Sequence, residues 1–257
     1  MSDIILETRG LTKEFKGFAA VSEVSLQVQR GHIHALIGPN GAGKTTVFNL
    51  LTKFLIPTRG TIVYNGVDIT HEKPADTAQR GVIRSFQISA VFPHMSVLEN
   101  VRIALQRKTG LSTRFWQSKK VLDQLNERAM LLLDAVGLRD FADTVTVELA
   151  YGRKRALEIA TTLALEPELM LLDEPTQGMG VEDVDKITRL IKQVSAGRTI
   201  LMVEHNLKVV STLADRLTVL ARGQILSEGD YATVSRDPRV MEAYMGVSVD
   251  ETEEAQA

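Results

Sequence analysis

The sequence predicts a mixed α/β fold: an α/β core whose sheet is extended by an antiparallel β subdomain, with an α-helical subdomain inserted into it. Three observations support this fold class. A glycine-rich loop near residue 40 stands between a strand-like run and a helix-like run. Helical periodicity then dominates 96–166. Two short and continuously apolar runs follow at 169–172 and 199–203, as expected of strands buried on both faces of a sheet.

The glycine-rich loop matches the pattern G-x-x-x-x-G-K-[ST] of a phosphate-binding loop, or P-loop. Its residues are Gly38, Pro39, Asn40, Gly41, Ala42, Gly43, Lys44 and Thr45. The glycines let successive backbone N–H groups point inward and form a nest for phosphate oxygens. Lys44 adds a positive charge for the β- and γ-phosphates, Thr45 offers a hydroxyl to Mg²⁺, and the helix that begins at Lys44 presents its positive end. A glycine-rich turn without a ligand is the alternative, which the flanking strand (32–37) and helix (46–54) disfavour.

Composition limits the classes of function. The formal net charge is −2, which argues against a nucleic-acid binder that relies on a basic surface. The chain has no cysteine, so it has no disulfide, thiolate metal site or cysteine nucleophile. The first nine residues lack the basic start and apolar core of a signal peptide, and no apolar run approaches the ~18 residues of a membrane-spanning helix. We therefore expect a soluble chain that reaches a membrane only through a partner.

Local signals predict further elements. The apolar start at 4–6 and the alternation over 21–28 indicate strands, and Asn65-Gly66 is a hairpin-turn signal. Ser96 and Glu99 have the spacing of a capping box, which predicts a helix start.

These signals suggest how the chain is divided. We expect one domain over 1–247, in which an α/β core (1–95 and 167–247) surrounds the helical subdomain (96–166). The acidic end, 248–257, is rich in small residues and is expected to be disordered.

An acidic pair follows the first of the two apolar runs. Asp173 and Glu174 end that run, and Pro175 comes next. A carboxylate at the end of a buried strand beside a phosphate loop can hold Mg²⁺ directly or through water, which is the role we predict for Asp173. A neighbouring carboxylate can deprotonate an attacking water, which is the role we predict for Glu174. An acidic turn that merely ends a strand is the alternative, and the phosphate loop upstream disfavours it.

Over nearly its whole length the chain resembles the ATP-binding subunits of ABC transporters. Six features occur in the family's order: GPNGAGKTT at 38–46, Gln87 after a strand, LAYGR at 149–153, LMLLDEP at 169–175, the turn Gly178-Met179-Gly180, and Glu204-His205 after the next strand. The resemblance implies a P-loop ATPase of the ABC type, with ATP and Mg²⁺ as ligands.

The resemblance also implies roles for single residues. Phe15 would stack on adenine, and Thr46 would extend the phosphate loop. Gln87 would reach Mg²⁺ and the attacking water, and His205 would contact the γ-phosphate and Glu174. The alternatives are that Phe15 is a core phenylalanine, which is the less favoured reading, and that His205 is a structural histidine at a strand end.

The signature segment (Leu149–Arg153) departs from the family's common LSGGQ. It keeps Gly152 and the helix start there, so that Ala150, Tyr151 and Gly152 would face the nucleotide of a second subunit. Ala150 lacks the hydroxyl of the usual serine, and Tyr151 replaces a glycine. The following Arg153-Lys154-Arg155 run can be read as a solvated basic helix face, with Glu158 one turn beyond Lys154. No role for Arg153 follows from the sequence.

The resemblance implies partners as well. One phosphate loop and one signature segment give two half-sites, so the family's head-to-tail dimer requires a second ATP-binding subunit; a related chain is favoured over an identical one. Integral membrane permease subunits would bind this pair, and a periplasmic or extracellular solute-binding protein would act indirectly. The chain would sit peripherally at the cytoplasmic face of the cell (inner) membrane, and no nucleic acid is expected.

The closest resemblance is to the importer branch for branched-chain or other polar amino acids and amides. It rests on the 92–100 segment, the helical insert, the LAYG of the signature segment and the ending at 237–246. Leucine-type amino acids, urea, short amides and aromatic acids all stay open as substrates. A lipid or lipopolysaccharide export ATPase, a soluble ABC ATPase acting on DNA or ribosomes, and a P-loop kinase are the alternatives.

Overall fold

The computed structural model describes residues 3–85, 91–109 and 123–245. Within these ranges, one sheet is antiparallel in every pairing, and β1 lies at its centre between β2 and β5. Its strands are β1 (Ile4–Phe15), β2 (Phe18–Val24), β3 (Gln27–Gln29), β5 (Arg59–Tyr64) and β6 (Val67–Asp68).

The second described sheet has the order β11-β10-β4-β9-β8-β7 and is parallel except for the edge strand β11. Its strands are β4 (Ile33–Ile37), β7 (Val82–Ser85), β8 (Leu169–Asp173), β9 (Thr199–Val203), β10 (Arg216–Ala221) and β11 (Gln224–Gly229). Because β4 lies between β9 and β10, the strand that leads into the phosphate loop is central and buried at every residue.

The helices occur between and after these strands. They are α1 (Lys44–Leu51), α2 (Pro74–Gln79), α3 (Val97–Thr109), α4 (Asn126–Ala135), α5 (Tyr151–Ala164), α6 (Val181–Val194), α7 (Leu207–Leu213), α8 (Tyr231–Val234) and α9 (Pro238–Met245). Across the described ranges, none of them is both long enough and apolar enough to cross a membrane.

The parallel sheet is covered on both faces, as its apolar strands predict. Along β8, Met170 and Leu172 pack into a cluster with the helices α3 to α7, whereas Leu169 and Leu171 pack into a cluster with α1 and the antiparallel sheet. Side chains alternate between the faces of a strand, so a continuously apolar run supplies both clusters at once.

Two local predictions are confirmed by the backbone. Asn65 and Gly66 have φ of 48° and 77° and connect β5 to β6, as a tight hairpin turn of the Asn-Gly type requires. The Ser96 N–H donates to the Glu99 carboxylate at 2.9 Å, and the Glu99 N–H donates to the Ser96 hydroxyl at 3.2 Å, which is a capping box before α3.

Two predicted elements differ from the structure. The run 21–28 is not one strand: β2 ends at Val24 and β3 begins at Gln27, and both pair with β1. Glu23, the second-last residue of β2, has φ of 54°. The helix after the phosphate loop ends at Leu51 rather than continuing to 54, and Lys53 lies just beyond it with φ of 64°.

The stretch between β7 and β8 contains α3, α4 and α5, as the predicted helical subdomain requires, but its status as a separate unit stays a prediction. Gln87 lies outside the described residues, as do the 110–122 part of the insert and the acidic end 248–257.

Candidate functional site

The candidate site lies where parallel strands end side by side. Asp173, the last residue of β8, pairs with Val203 at the end of β9, and Leu36 of β4 also pairs with Val203. The phosphate loop, the acidic pair and the Glu204-His205 segment therefore leave the sheet at the same edge. In open α/β sheets, ligands bind outside this carboxyl edge.

Glycine is required in the phosphate loop by both backbone conformation and space. Gly41 and Gly43 have φ of 79° and 101°, in the region that other residues rarely adopt. A Cβ on Gly43 would lie 2.6 Å from the Ala20 carbonyl oxygen, and a Cβ on Gly38 would collide with the Leu220 carbonyl oxygen. Helix α1 begins directly after Gly43, so its first N–H groups point into the loop, where an anion can accept from them.

Lys44 is buried inside the loop. Its ammonium donates to the carbonyl oxygens of Gly38 at 2.6 Å and Pro39 at 3.0 Å. Burial lowers the pKa of this ammonium, while the carboxylates of Glu174 and Asp173 act in the opposite direction. The positive charge of Lys44 therefore interacts electrostatically with the carboxylates of Asp173 and Glu174, although these residues are far from Lys44 in the sequence.

Asp173 has a partner that the sequence did not single out. Arg84, near the end of β7, donates to Asp173 Oδ2 at 2.5 Å, and both side chains are almost fully buried. The same guanidinium donates to Asn49 Oδ1 at 2.7 Å and lies over the Phe48 ring, so it also contacts α1. An arginine directly after two apolar strand residues could have indicated a buried partner, but not which residue that partner is.

The donor types at this edge fit a magnesium ion bound largely through phosphate and water. A carboxylate with one oxygen on a guanidinium keeps lone pairs for a hydrated cation, and Thr45 is exposed at the start of α1. No group of three or more acidic, histidine or cysteine side chains forms a metal cage within the described ranges. Mg²⁺ characteristically uses one or two protein oxygens and keeps several waters.

Glu174 has an unusual backbone conformation. Its φ is 45°, its N–H donates to the Val203 carbonyl oxygen at 2.9 Å, and its side chain is half-buried. The carbonyl oxygens on both sides of it accept from Arg155 of α5: Asp173 O at 2.9 Å and Pro175 O at 3.3 Å.

The reading of Arg153-Lys154-Arg155 as a solvated basic face is wrong for Arg155. Arg155 and Glu158 are both buried and form an ion pair of 2.5 Å. The guanidinium also donates to backbone carbonyl oxygens beneath the helix, so its other donors are used although it is buried. Lys154 donates to the Val147 carbonyl oxygen at 3.0 Å, and Arg153 lies 4.1 Å from the centre of the Phe141 ring.

Glu204 organises the turns that flank the site. The backbone N–H and hydroxyl of Thr176 donate to its Oε1 at 3.1 and 2.6 Å, and the N–H groups of His205 and Asn206 donate to its Oε2 at 3.0 and 3.2 Å. The sequence indicated Glu204 only as the neighbour of His205. A fully buried carboxylate with four donors fixes the segment that carries His205 relative to the turn after Pro175.

Two other predicted site residues, His205 and Phe15, lie at the surface. The side chain of His205 is exposed, and Phe15 is 43% exposed with the Lys13 ammonium over its ring, so Phe15 is not a core residue. In the phosphate loop, Asn40 is exposed, whereas Ala42 is buried.

The signature segment borders the turn after the acidic pair in its own chain. Tyr151 is half-exposed and donates its hydroxyl to the Gln177 carbonyl oxygen at 3.3 Å. Gly152 packs against Asp183, whose carboxyl carbon would lie 3.0 Å from an added Cβ. Ala150, the N-cap of α5, is exposed, so the N-terminal end of that helix is accessible.

Comparison with protein families gives two matches. The model of the ABC transporter family matches residues 21–177, and a model described as branched-chain amino acid ATP-binding cassette transporter matches residues 224–250.

Individual relatives align over almost the entire chain. The chain is 37% identical to the high-affinity branched-chain amino acid transport ATP-binding protein LivG of Salmonella typhimurium, over 96% of this chain and 99% of that one. It is 36% identical to BraF of Pseudomonas aeruginosa, described in the same terms, over 96% and 99%.

Solved structures give the same result. MJ1267, an ATP-binding cassette of an ABC transporter in its ADP conformation, superposes with a TM-score of 0.82 at 30% identity, over 95% of this chain and 99% of that one. The dimeric structure of MJ0796, a bacterial ABC transporter cassette, superposes with a TM-score of 0.73 at 26% identity, over 88% and 98%. With the family model covering more than half of its residues, the chain belongs to the ABC transporter family as an ATP-hydrolysing, ATP-binding subunit.

Proposed function

We propose that this chain binds MgATP on its phosphate loop, hydrolyses it with Glu174 as general base in a head-to-tail pair of cassettes, and thereby energises the import of branched-chain amino acids. The observation that carries the proposal is the meeting of Lys44, Asp173 and Glu174 at one sheet edge. There a buried ammonium faces two carboxylates beside a loop of inward-pointing N–H groups.

Nucleotide binding follows from the loop. The N–H groups of Gly41 to Thr46 surround the β- and γ-phosphates, and the Lys44 ammonium, which has three hydrogens, donates to them. The exposed ring of Phe15 stacks on adenine. The Thr45 hydroxyl and, directly or through water, the Asp173 carboxylate with Gln87 would hold Mg²⁺, which would supply positive charge beside the phosphate oxygens.

Hydrolysis depends on where the carboxylates stand. Glu174 directly follows Asp173, and its carboxylate can accept a proton from a water whose oxygen bonds to the γ-phosphorus while the bond from that phosphorus to the leaving oxygen of ADP breaks. His205, held by the Glu204 carboxylate through its backbone N–H, contacts the γ-phosphate and orients that water together with Gln87. Arg84 donates to Asp173 Oδ2 and so holds that carboxylate in place.

A second subunit completes each site. The accessible N-terminal end of α5, at Ala150, Tyr151 and Gly152, carries a partial positive charge that suits the γ-phosphate bound by a partner. The dimeric structure of the relative MJ0796 supports this arrangement. The partner is a related second ATP-binding subunit or an identical chain, and ATP between the two acts as the bridge that hydrolysis removes.

Transport requires membrane partners. We propose one domain over 1–247, with a helical subdomain at 96–166, bound peripherally to permease subunits at the cytoplasmic face of the cell membrane. Phe92 and Met95, exposed beside the start of α3, offer an apolar surface to such a permease. The substrate class is supported by the match at 224–250 and by the names of the relatives, which describe branched-chain amino acid transport.

Hydrolysis and dimerisation are tested on the purified chain with Glu174→Gln. We expect the wild type to release phosphate from ATP, and the variant to be nearly inactive and to shift to the mass of a dimer when ATP is added. If the variant hydrolyses ATP at the wild-type rate as a monomer, both the role of Glu174 as general base and the completion of each site by a second subunit are refuted.

The substrate is tested in cells that carry Glu174→Gln at the native gene. Uptake of labelled leucine, isoleucine and valine should fall, while uptake of urea, short amides and aromatic amino acids stays at the wild-type level. If branched-chain uptake is unchanged and one of the other classes is lost, the proposed substrate class is wrong.

A further inference from the structure

Glu174 is held in a conformation that non-glycine residues rarely adopt. With φ of 45° it lies in the left-handed region, at the point where β8 turns out of the sheet. Such a backbone persists only where the surroundings determine it, and this kind of strain is concentrated at functional sites. The carbonyl oxygens of its two neighbours in the sequence, Asp173 and Pro175, are held by one side chain.

Arg155 holds both of them. Its Nη2 donates to the Asp173 carbonyl oxygen at 2.9 Å and its Nε donates to the Pro175 carbonyl oxygen at 3.3 Å, so one guanidinium spans the residue between them. A guanidinium presents its donors in a rigid planar fork, which fixes the separation of the two carbonyls it binds.

The guanidinium is itself fixed from the other side. Glu158, one turn along α5, accepts from Arg155 Nη1 at 2.5 Å, and both side chains are about 95% buried. The carbonyl oxygen of Glu158 in turn accepts from the Thr162 hydroxyl at 2.8 Å, a further hydrogen bond within the same part of the helix. Arg155 therefore projects from a rigid helix onto the turn that carries Glu174.

We infer that Arg155 is a positioning residue for ATP hydrolysis, which sets the location of the Glu174 carboxylate by fixing the carbonyls on both sides of it. The inference rests on the proposed role of Glu174 as general base. Helix α5 begins in the signature segment, which faces the nucleotide bound by the partner subunit in the proposed dimer. Arg155 therefore also connects this helix to Glu174, the proposed base for the nucleotide that the chain itself binds.

The experiment must separate positioning from a purely structural ion pair. Arg155→Met alone leaves Glu158 buried without its charged partner and should lower the melting temperature. The double variant R155M/E158L replaces the pair by apolar side chains, a change that is often neutral or stabilising, and it still lacks the fork. Arg155→Lys keeps a cation beside Glu158 but cannot reproduce a planar fork on two carbonyls.

If Arg155 positions Glu174, R155M/E158L melts near the wild-type temperature and binds a fluorescent ATP analogue with unchanged affinity, yet kcat falls by about 10–100-fold, as for small displacements of a catalytic group. R155K should also melt like the wild type and lose kcat, which keeps the test decisive if R155M/E158L folds poorly. In an E174Q background, adding R155M/E158L should not lower the residual rate further, because there is no base left to misplace.

A wild-type kcat in R155M/E158L or in R155K would overturn the inference, and so would an equal fall of the residual rate in the E174Q background. ATP hydrolysis at the wild-type rate by E174Q alone would instead refute the proposed role of Glu174 as base. That outcome differs from the two results that would overturn the role of Arg155. The matched control is R216M/E228L, which removes an arginine–glutamate ion pair of 2.6 Å. Arg216 is the first residue of β10 and lies at the end of that strand away from the site. The kcat of this control should not change.

Discussion

Acidification from pH 7.5 to 5.5 should destabilise the fold by about 1.4 kcal/mol through a single residue, His34. His34 lies in β4, is fully buried, and places Nε2 2.8 Å from the Thr218 hydroxyl oxygen. Within the described part of the chain, its Nδ1 has no hydrogen-bond partner. Protonation would bury a charge and add an N–H without an acceptor.

The size of the effect follows from the pKa. Burial, with smaller contributions from the charges of Arg216 and His32, lowers the pKa of His34 to about 3, against an ordinary value of 6.5. The unfolded chain therefore binds more protons than the folded chain between pH 3 and 6.5, so stability rises with pH through that window and levels off above it. At pH 5.5 the unfolded histidine is mostly protonated and the folded one is not, which gives about 1.4 kcal/mol.

The assay is urea unfolding at pH 7.5, 6.5 and 5.5 of the wild type and His34→Gln, whose amide keeps a partner for Thr218 but does not titrate. The free energy of unfolding of the variant should vary less with pH, by about 1.4 kcal/mol over the range. His32→Gln, which alters a half-exposed histidine two residues away, should keep the wild-type pH dependence. Parallel pH profiles for the wild type and His34→Gln would refute the reasoning.

Three further substitutions test other parts of the structure. Glu204→Gln replaces one accepting oxygen by an amide that faces N–H donors, so the free energy of unfolding should fall by about 1–3 kcal/mol in urea titrations; an unchanged midpoint would contradict the four-donor network. Ser96→Ala removes the capping box with Glu99 and should cost about 1 kcal/mol in the same assay. Lys44→Met removes one charge-assisted contact to phosphate, so it should weaken binding of a fluorescent ATP analogue by about 10–100-fold with an unchanged melting temperature. If the affinity of Lys44→Met equals that of the wild type, the phosphates do not bind beside Lys44.

The elements that the sequence predicted well are those whose signal is local. The glycines of the phosphate loop, the turn at Asn65-Gly66 and the capping box at Ser96 each depend on a few neighbouring residues, and each has the expected geometry or hydrogen bonds. The apolar runs 169–172 of β8 and 200–203 of β9 were equally clear, because burial on both faces of a strand favours apolar side chains at successive positions.

Contacts between distant segments were not predictable in this way. Nothing near Arg84 indicates that it pairs with Asp173, 89 positions away. The same holds for Arg155: its helix position suggests a solvated face with Glu158, and only the fold shows the carbonyl oxygens of Asp173 and Pro175 beneath it. The roles of the nucleotide-site residues, Gln87 among them, stay predictions.

The order in which the chain is synthesised has a consequence for its phosphate loop. The loop is walled by later residues: Gly38 faces the Leu220 carbonyl oxygen, and the Gly223 N–H donates to the Ala42 carbonyl oxygen at 3.0 Å. Strand β4 likewise has β9 and β10 as its neighbours. On the ribosome, the loop therefore emerges long before the walls that shape it, and a nascent chain acquires a nucleotide site only once residues near 223 have left the exit tunnel.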